Sequence, residues 1–254
     1  MNLGITKRIT RAGRANTWGP FPGVTYTNYA VAFNGTDQLG KSNNFNHISD
    51  DSHSISFWIK RDGAPDSYSI IMHFQDRSFA CGLDDTTGVI SATWRCQDDG
   101  SRNRPFGTTN VCDNDWHHIV FVVDRDVPTD GVRLFIDGSV ELVEDCDLTG
   151  DLTDLTGEER LLIAHAEWSD TYAEVSFDEI AIWNDYVLSP SDISTLYNSG
   201  TPLDDVTTTT DIDSSLVRYF KFDENTGNDA FDESDENAAM SLVNASLATW
   251  VAGA

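Results

Sequence analysis

Residues Glu174 to Trp183 read EVSFDEIAIW, and the adjacent carboxylates Asp178 and Glu179 interrupt an otherwise apolar run. Two acids on one strand can serve a glycosidic bond as nucleophile and proton donor, but only if both reach the same face. Under strict alternation Val175, Phe177, Glu179 and Ala181 share one face, and Ser176, Asp178, Ile180 and Ile182 the other. The pair is then divided and forms no dyad. The stretch VELVEDCD fails differently: Glu141 and Asp145 share a face, but Val143 stands where a central acid would be needed. No serine sits in a G-x-S-x-G elbow. These geometric failures predict a protein that is not an enzyme.

His117 and His118 are neighbours on a strand-like run, so their rings face opposite ways and cannot both bind one ion from that strand. Aromatic residues offer binding chemistry instead. HAEWSDTYAE places His165, Trp168 and Tyr172 on a loop between strands, and Trp94 lies in SATWRC. Such rings can cover sugar faces while nearby polar groups take hydroxyls. The competing expectation is that they pack loops against the sheets. The cysteines are Cys81, Cys96, Cys112 and Cys146; none forms a C-x-x-C pair, so a zinc ribbon is excluded. Cys81 and Cys96 flank a hairpin-like stretch that could bring them face to face, but three pairings of the four cysteines stay open, as does the choice between free thiols and disulfides.

The elements that must carry these residues are mostly strands. In SISFWIK, Ile55, Phe57 and Ile59 point one way and Ser54, Ser56 and Trp58 the other. Ile119, Phe121 and Val123 share a face in HHIVFVVD, and Val132, Leu134 and Ile136 alternate up to a hairpin turn at Asp137-Gly138. Many short strands separated by Gly, Asn and Asp clusters predict an all-β, two-sheet antiparallel sandwich. One helix is expected, with Ser189 as N-cap, Pro190 at N1, Asp192 at N3, Ile193, Leu196 and Tyr197 as its apolar side, and Gly200 as its stop.

Composition narrows the partners. The chain has 254 residues and a net charge of -26, from 42 acidic against 16 basic side chains. That charge repels nucleic-acid phosphates and anionic membranes, so neither is an expected partner. Lysine occurs only at positions 7, 41, 60 and 221, a balance that fits either saline surroundings, where salt screens self-repulsion, or an ordinary acidic mesophilic protein. No apolar run approaches a membrane span. The start carries basic residues without a following apolar region, so no secretory signal peptide is predicted and synthesis in a cytoplasm is expected. Three parts follow: 1–28, an extended basic arm with Lys7, Arg8, Arg11 and Arg14; 29–200, the sandwich; and 201–254, an extension that completes the sandwich or packs on it.

YAVAFNGTDQLGKSNN, SISFWIKRDG, NDWHHIVFVVD, GVRLFIDGSVE and VSFDEIAIWNDYVLSPSDISTLYNSG stand in this order from Tyr29 to Gly200. Together they resemble the laminin-G-like, concanavalin-A-like jelly-roll domains. The resemblance implies a jelly roll and a calcium site of hard oxygen ligands. Asp178 matches the family's closing-strand aspartate, Asn34 stands where the family usually has aspartate, and Asp37 follows the turn. The alternative for Asp178 is a carboxylate accepting backbone N–H bonds at a strand end.

The tail SLVRYFKFDENTGNDAFDESDENAAMSLVNASLATW, the missing signal and the basic arm are similar to members in tailed-phage and virus particles. That likeness implies a non-enzymatic virion structural protein, a capsid decoration or a fibre or tail appendage. It would be multicopy or homo-oligomeric, dock through its arm on other virion proteins, face outward on the virion surface, and touch host surface glycan. A carbohydrate-binding or adhesion module of a saline microbe, and a glycan-degrading enzyme, are the alternatives.

Overall fold

The computed structural model of the chain describes residues 28–45, 52–74, 79–95, 102–103, 106–127, 129–144, 159–203, 205–209, 215–245 and 250–254. In chain order the elements begin with β1 (Tyr29–Asn34), β2 (Leu39–Phe45), β3 (His53–Lys60), β4 (Ser69–Phe74), β5 (Phe79–Leu83) and β6 (Val89–Arg95). There follow β7 (Arg102–Asn103), β8 (Phe106–Asn110), β9 (His117–Val123), β10 (Val132–Ile136), β11 (Ser139–Glu144) and β12 (Glu159–Ile163). Next come β13 (His165–Ala166), β14 (Thr171–Tyr172), β15 (Glu174–Asn184), the helix α1 (Pro190–Tyr197) and a 3-10 turn (Val206–Thr208). The last strands are β16 (Leu216–Phe220), β17 (Asp229–Ala230), β18 (Met240–Val243) and β19 (Trp250–Ala252).

Two antiparallel sheets form the sandwich. The first runs β11-β10-β9-β3-β15-β1-β19, with β16 also pairing β15. The second runs β17-β18-β2-β12-β4-β5-β6-β7, with β8 also pairing β6. This is the expected jelly roll with one short helix. Ile55, Phe57, Ile59, Ile119, Phe121 and Val123 of the first sheet meet Met72, Phe74, Leu161 and Ile163 of the second in the main core. Period-two alternation puts these residues on the inner faces, and their burial is the main driving force of the fold.

The first sheet is buried on its other side as well. Val120, Val122, Ala181 and Trp183 point away from the sandwich and pack on Ile193 and Leu196 of α1 and on Leu216 and Tyr219 of β16. An antiparallel sheet usually leaves one face to water. Here the helix and the C-terminal segment cover it, which is why β3 and β9 are buried almost throughout. The helix is local in origin: the Ser189 side chain accepts from the Asp192 N–H, and Asp192 accepts from the Ser189 N–H at 2.8 Å. It ends two residues before the expected stop, because Asn198 already turns left-handed at φ 43°.

The C-terminal residues enter both sheets. β16 pairs with β15, β19 with β1, and β18 extends the second sheet beyond β2. At the Asp137-Gly138 hairpin both residues have positive φ, 51° and 75°, as a tight primed turn requires.

Strict alternation in β15 does not hold. Asp178 pairs with Trp58 and Ala181 with Ser56, so three steps on β15 match two on β3. The bulged residue is Glu179, at φ 49°. Beyond it the faces exchange. Val175 and Phe177 share the main core with Ile180 and Ile182, while Glu179 turns outward to bond the Tyr219 hydroxyl and feels the Asp178 charge beside it. The expectation that Asp178 and Glu179 lie on opposite faces is therefore corrected: one extra residue in the strand sends both to the outer side of the first sheet.

Candidate functional site

The aromatic loop proves to be a small hairpin. β13 and β14 pair through His165 with Tyr172 and Ala166 with Thr171, leaving 167–170 as the turn. The His165 and Tyr172 rings lie 4.5 Å apart, and His165 Nε2 meets Asp170 Oδ1 at 3.3 Å. Ser169 Oγ and Thr171 Oγ1 share a hydrogen bond of 2.9 Å, and Arg160 reaches Glu167 at 3.5 Å. These contacts brace the turn. Trp168, at its tip, is 40% exposed and rests on His73 of β4, edge to face, with ring centroids 4.7 Å apart.

His73 fixes where the tip stands. Met72 and Phe74 point into the main core, so His73 between them points out of the second sheet. The hairpin thus sits over that sheet's outer face, with an indole ring available to a ligand. Around it are hydroxyls at Ser169 and Thr171 and carboxylates at Glu167 and Asp170. An aromatic platform with polar neighbours can stack on a sugar ring and bind its hydroxyls.

Trp94 does not belong to this rim. It is 2% exposed and packs on Phe79 and Phe121 at 5.8 and 5.5 Å in the main core. Its place on β6, opposite Phe79, turns its ring inward. The rim expectation for Trp94 is corrected accordingly, while His165, Trp168 and Tyr172 are brought together.

The expected calcium ligands are not. Asn34 Nδ2 donates to Asp37 Oδ1 at 2.9 Å, and Asn34 Oδ1 accepts from the Thr36 and Asp37 amides, which makes a self-contained turn. Asn34 pairs with Glu174, and Asp178 lies four residues further along β15, roughly 13 Å away. Asp178 is fully buried, and its oxygens accept from the Ala254 N–H at 2.9 Å and the Glu179 N–H at 3.0 Å. It is the backbone acceptor of the alternative reading. These three residues do not fit one calcium ion. Among the described residues no group of three His, Cys, Asp or Glu side chains could hold a metal.

Burial also decides what the acid pair can do. Desolvation pushes the Asp178 carboxyl up to about 8, against hydrogen bonds from Ala254 and Glu179 that lower it. Glu179, 7% exposed, is raised well above the ordinary range by burial and by the Asp178 charge. A polymer cannot reach either group. Glu141 is also engaged: its carboxylate accepts from the amides and hydroxyls of Thr108 and Thr109.

The histidines divide as alternation requires. His118 points outward under α1, stacked near Trp58 and Tyr197, with Nε2 at 2.8 Å from Ser56 Oγ; burial pushes it down to about 3. His117 sits at the strand end between two carboxylates, Nδ1 at 2.8 Å from Asp137 and Nε2 at 3.0 Å from Asp113. The sequence reading missed this arrangement, although Asp113 at i−4 and the hairpin Asp137 were both visible. Cys81 of β5 lies opposite Ala92 of β6. Cys81 and Cys112 are buried thiols; Cys96 and Cys146 lie outside the described residues. Lys7, Arg8, Arg11 and Arg14 of the arm also lie outside them.

A two-sheet jelly roll with a braced aromatic hairpin over its second sheet has the architecture of a lectin-type sandwich. Residues 33–194 match the family model Laminin_G_3, described as the concanavalin A-like lectin/glucanases superfamily, and the chain belongs to that family.

Among solved structures it is similar to a Bacteroides ovatus protein inferred to bind carbohydrate, with TM-score 0.63 and 14% identity, covering 90% of this chain. This chain spans 60% of that protein's length. It is also similar to the Ruminococcus gnavus IT-sialidase CBM40 bound to alpha2,3 sialyllactose, with TM-score 0.52 and 12% identity. That alignment covers 66% of this chain and 97% of the other. At such identities the likeness is one of fold. A comparison with curated proteins returned no match.

Proposed function

We propose that the protein is a non-catalytic glycan-binding module carried by a virion structural protein. The observation behind the binding is Trp168, 40% exposed at the tip of a hairpin braced by His165–Tyr172 stacking and held over the outer face of the second sheet. Its exposed ring, with hydroxyls and carboxylates of the same turn beside it, has the chemistry to stack on a sugar face and take its hydroxyls. The absence of cleavage chemistry rests on the burial of Asp178 and Glu179 and on the engagement of Glu141.

The virion setting rests on the resemblance of the tail and of the basic arm. In that setting the arm, with Lys7, Arg8, Arg11 and Arg14, docks on acidic virion proteins, and the sandwich presents the hairpin to host glycan. Many copies on a particle multiply a weak contact.

The test is a glycan array followed by calorimetry on the best ligand. Trp168→Ala is expected to weaken binding by about tenfold, with only a small fall in melting temperature from the lost packing on His73. Uniform silence of the wild type across host glycans would end the binding reading. Removal of residues 1–28 is expected to abolish incorporation into particles, and unchanged incorporation would end the virion reading.

A further inference from the structure

The turn that carries Trp168 holds more than an aromatic ring. Its four residues, Glu167, Trp168, Ser169 and Asp170, are all exposed. Two of them are acids, one on each side of the indole in the chain. The pairing of Ala166 with Thr171 brings these acids to the two sides of one tight turn, within about 7 Å of each other at the backbone. Each acid is held by a basic side chain of the neighbouring strands. Arg160 of β12 meets Glu167 Oε1 at 3.5 Å, and His165 of β13 meets Asp170 Oδ1 at 3.3 Å. Each hold takes one oxygen of its carboxylate. The other two, Glu167 Oε2 and Asp170 Oδ2, have no partner among the described residues. The Asp170 side chain is 84% exposed and that of Glu167 41%. The T-shaped contact with His73 takes no more than one face of the indole.

The site therefore presents an aromatic ring with an anchored carboxylate oxygen on either side. An ionised carboxylate accepts hydrogen bonds and gives none. Sugar hydroxyls give protons, and their bonds to a carboxylate are charge-assisted, stronger than bonds to a neutral acceptor. An ionised uronate or a sulfate meets the same oxygens with no proton to offer and with a like charge. Basic groups near the turn do not reverse this. Arg160 and His165 face its own acids, and His73 is buried beneath the indole. Lys41 stands two strands from His73, roughly 10 Å away. At physiological ionic strength charges beyond about 8 Å are largely screened, so the groups of the turn itself decide.

We propose that the Trp168 turn is selective for uncharged sugars. Glu167 and Asp170 accept hydroxyls of the ring stacked on the indole and turn acidic sugars away. This rests on the glycan-binding reading above and gives it a ligand class. The indole binds a sugar face without regard to charge; the two carboxylates supply the discrimination, by attraction to one class and repulsion of the other. Arg160 and His165 are positioning residues, since each acts on the ligand only through the acid that it holds.

The test uses the full chain at physiological salt. Affinity is measured by calorimetry for neutral gluco-, galacto- and manno-oligosaccharides and for the oligouronate that corresponds to each, at matched length. Wild type, Asp170→Asn, Glu167→Gln, the double variant and Trp168→Ala are compared, with melting temperatures as the control for folding. Each neutral ligand that binds is expected to do so about tenfold more tightly than its uronate counterpart. Asp170→Asn keeps an oxygen for His165 and removes the charge. It should weaken neutral ligands by about fivefold, and the double variant should bring neutral and uronate affinities within about threefold of each other. Three results would overturn the selectivity: a uronate bound as tightly as its neutral counterpart by wild type, neutral affinity unchanged in Asp170→Asn, or discrimination undiminished in the double variant. In each of these a Trp168→Ala defect would keep the glycan reading alive. Silence of wild type with every ligand would end both readings.

Discussion

His117 and Asp178 show how the same residue types take their properties from position. The Asp137 hydrogen bond raises the His117 pKa above the ordinary 6.5, with Asp113 adding to it and burial opposing. The folded state therefore holds this proton more tightly than the unfolded chain. Its stabilisation is complete below the ordinary value and is lost as pH rises through the higher folded one. Asp178 gives a slope of the same sign over a window that starts lower. Its carboxyl is raised from 3.8 to about 8, so across that range the folded state keeps a proton that the unfolded chain releases, and stability falls as pH rises. The melting temperature should decline from the acidic range to about pH 8. His117→Gln should remove a part that begins at the ordinary histidine value, and Asp178→Asn a part that begins near 3.8 and runs up to about 8. A flat profile in the wild type would contradict both assignments. That His117 and His118 point apart is legible in their adjacency. That Asp113 and Asp137 both reach His117 is not, because the Asp137 hairpin turn comes to it only through the pairing of β9 with β10.

At the scale of elements, local signals read well and strand irregularities read badly. The helix announces itself through Ser189, Pro190 and Asp192, each acting on groups within one turn. Ser189→Ala should cost about 1 kcal/mol, seen as a lower urea midpoint with an unchanged slope, because the N–H of Asp192 loses its acceptor. No loss of stability would mean that packing of Ile193 and Leu196 alone holds the helix. The bulge at Glu179 sends no comparable signal. A glutamate in left-handed backbone is uncommon, and nothing near it in sequence marks the turn. It persists because its carboxyl bonds Tyr219 of β16, a partner forty residues away in sequence. Once the bulge is missed, the faces of half a strand are exchanged, and with them the placement of Asp178 and Glu179 relative to each other.

For the whole molecule, the C-terminal segment is part of the sandwich's structure. Phe220, Phe222, Ala230, Met240, Leu242 and Trp250 all lie in the main core, and Asp232 accepts from the backbone amides of Tyr219, Ser234 and Ala238. Ending the chain after residue 215 should therefore expose the inner faces along β1, β2 and β15 and abolish cooperative melting, as read by near-ultraviolet circular dichroism. A sharp transition in the shortened chain would show that residues 29–200 are a self-sufficient domain. The same scale places the aromatic hairpin: Trp168 rests on His73 of β4, a contact made across the sheet that no spacing in the sequence links.

Alternation, turn residues and one capped helix were enough to predict a two-sheet antiparallel sandwich, the inward faces of β3 and β9 and the aromatic loop, since each depends on forces acting within a few residues. Register was beyond their reach. It put Trp94 inside and moved Asp178 away from the Asn34 turn. Such outcomes depend on hydrogen-bonded partners far along the chain, and only the packed structure selects those partners.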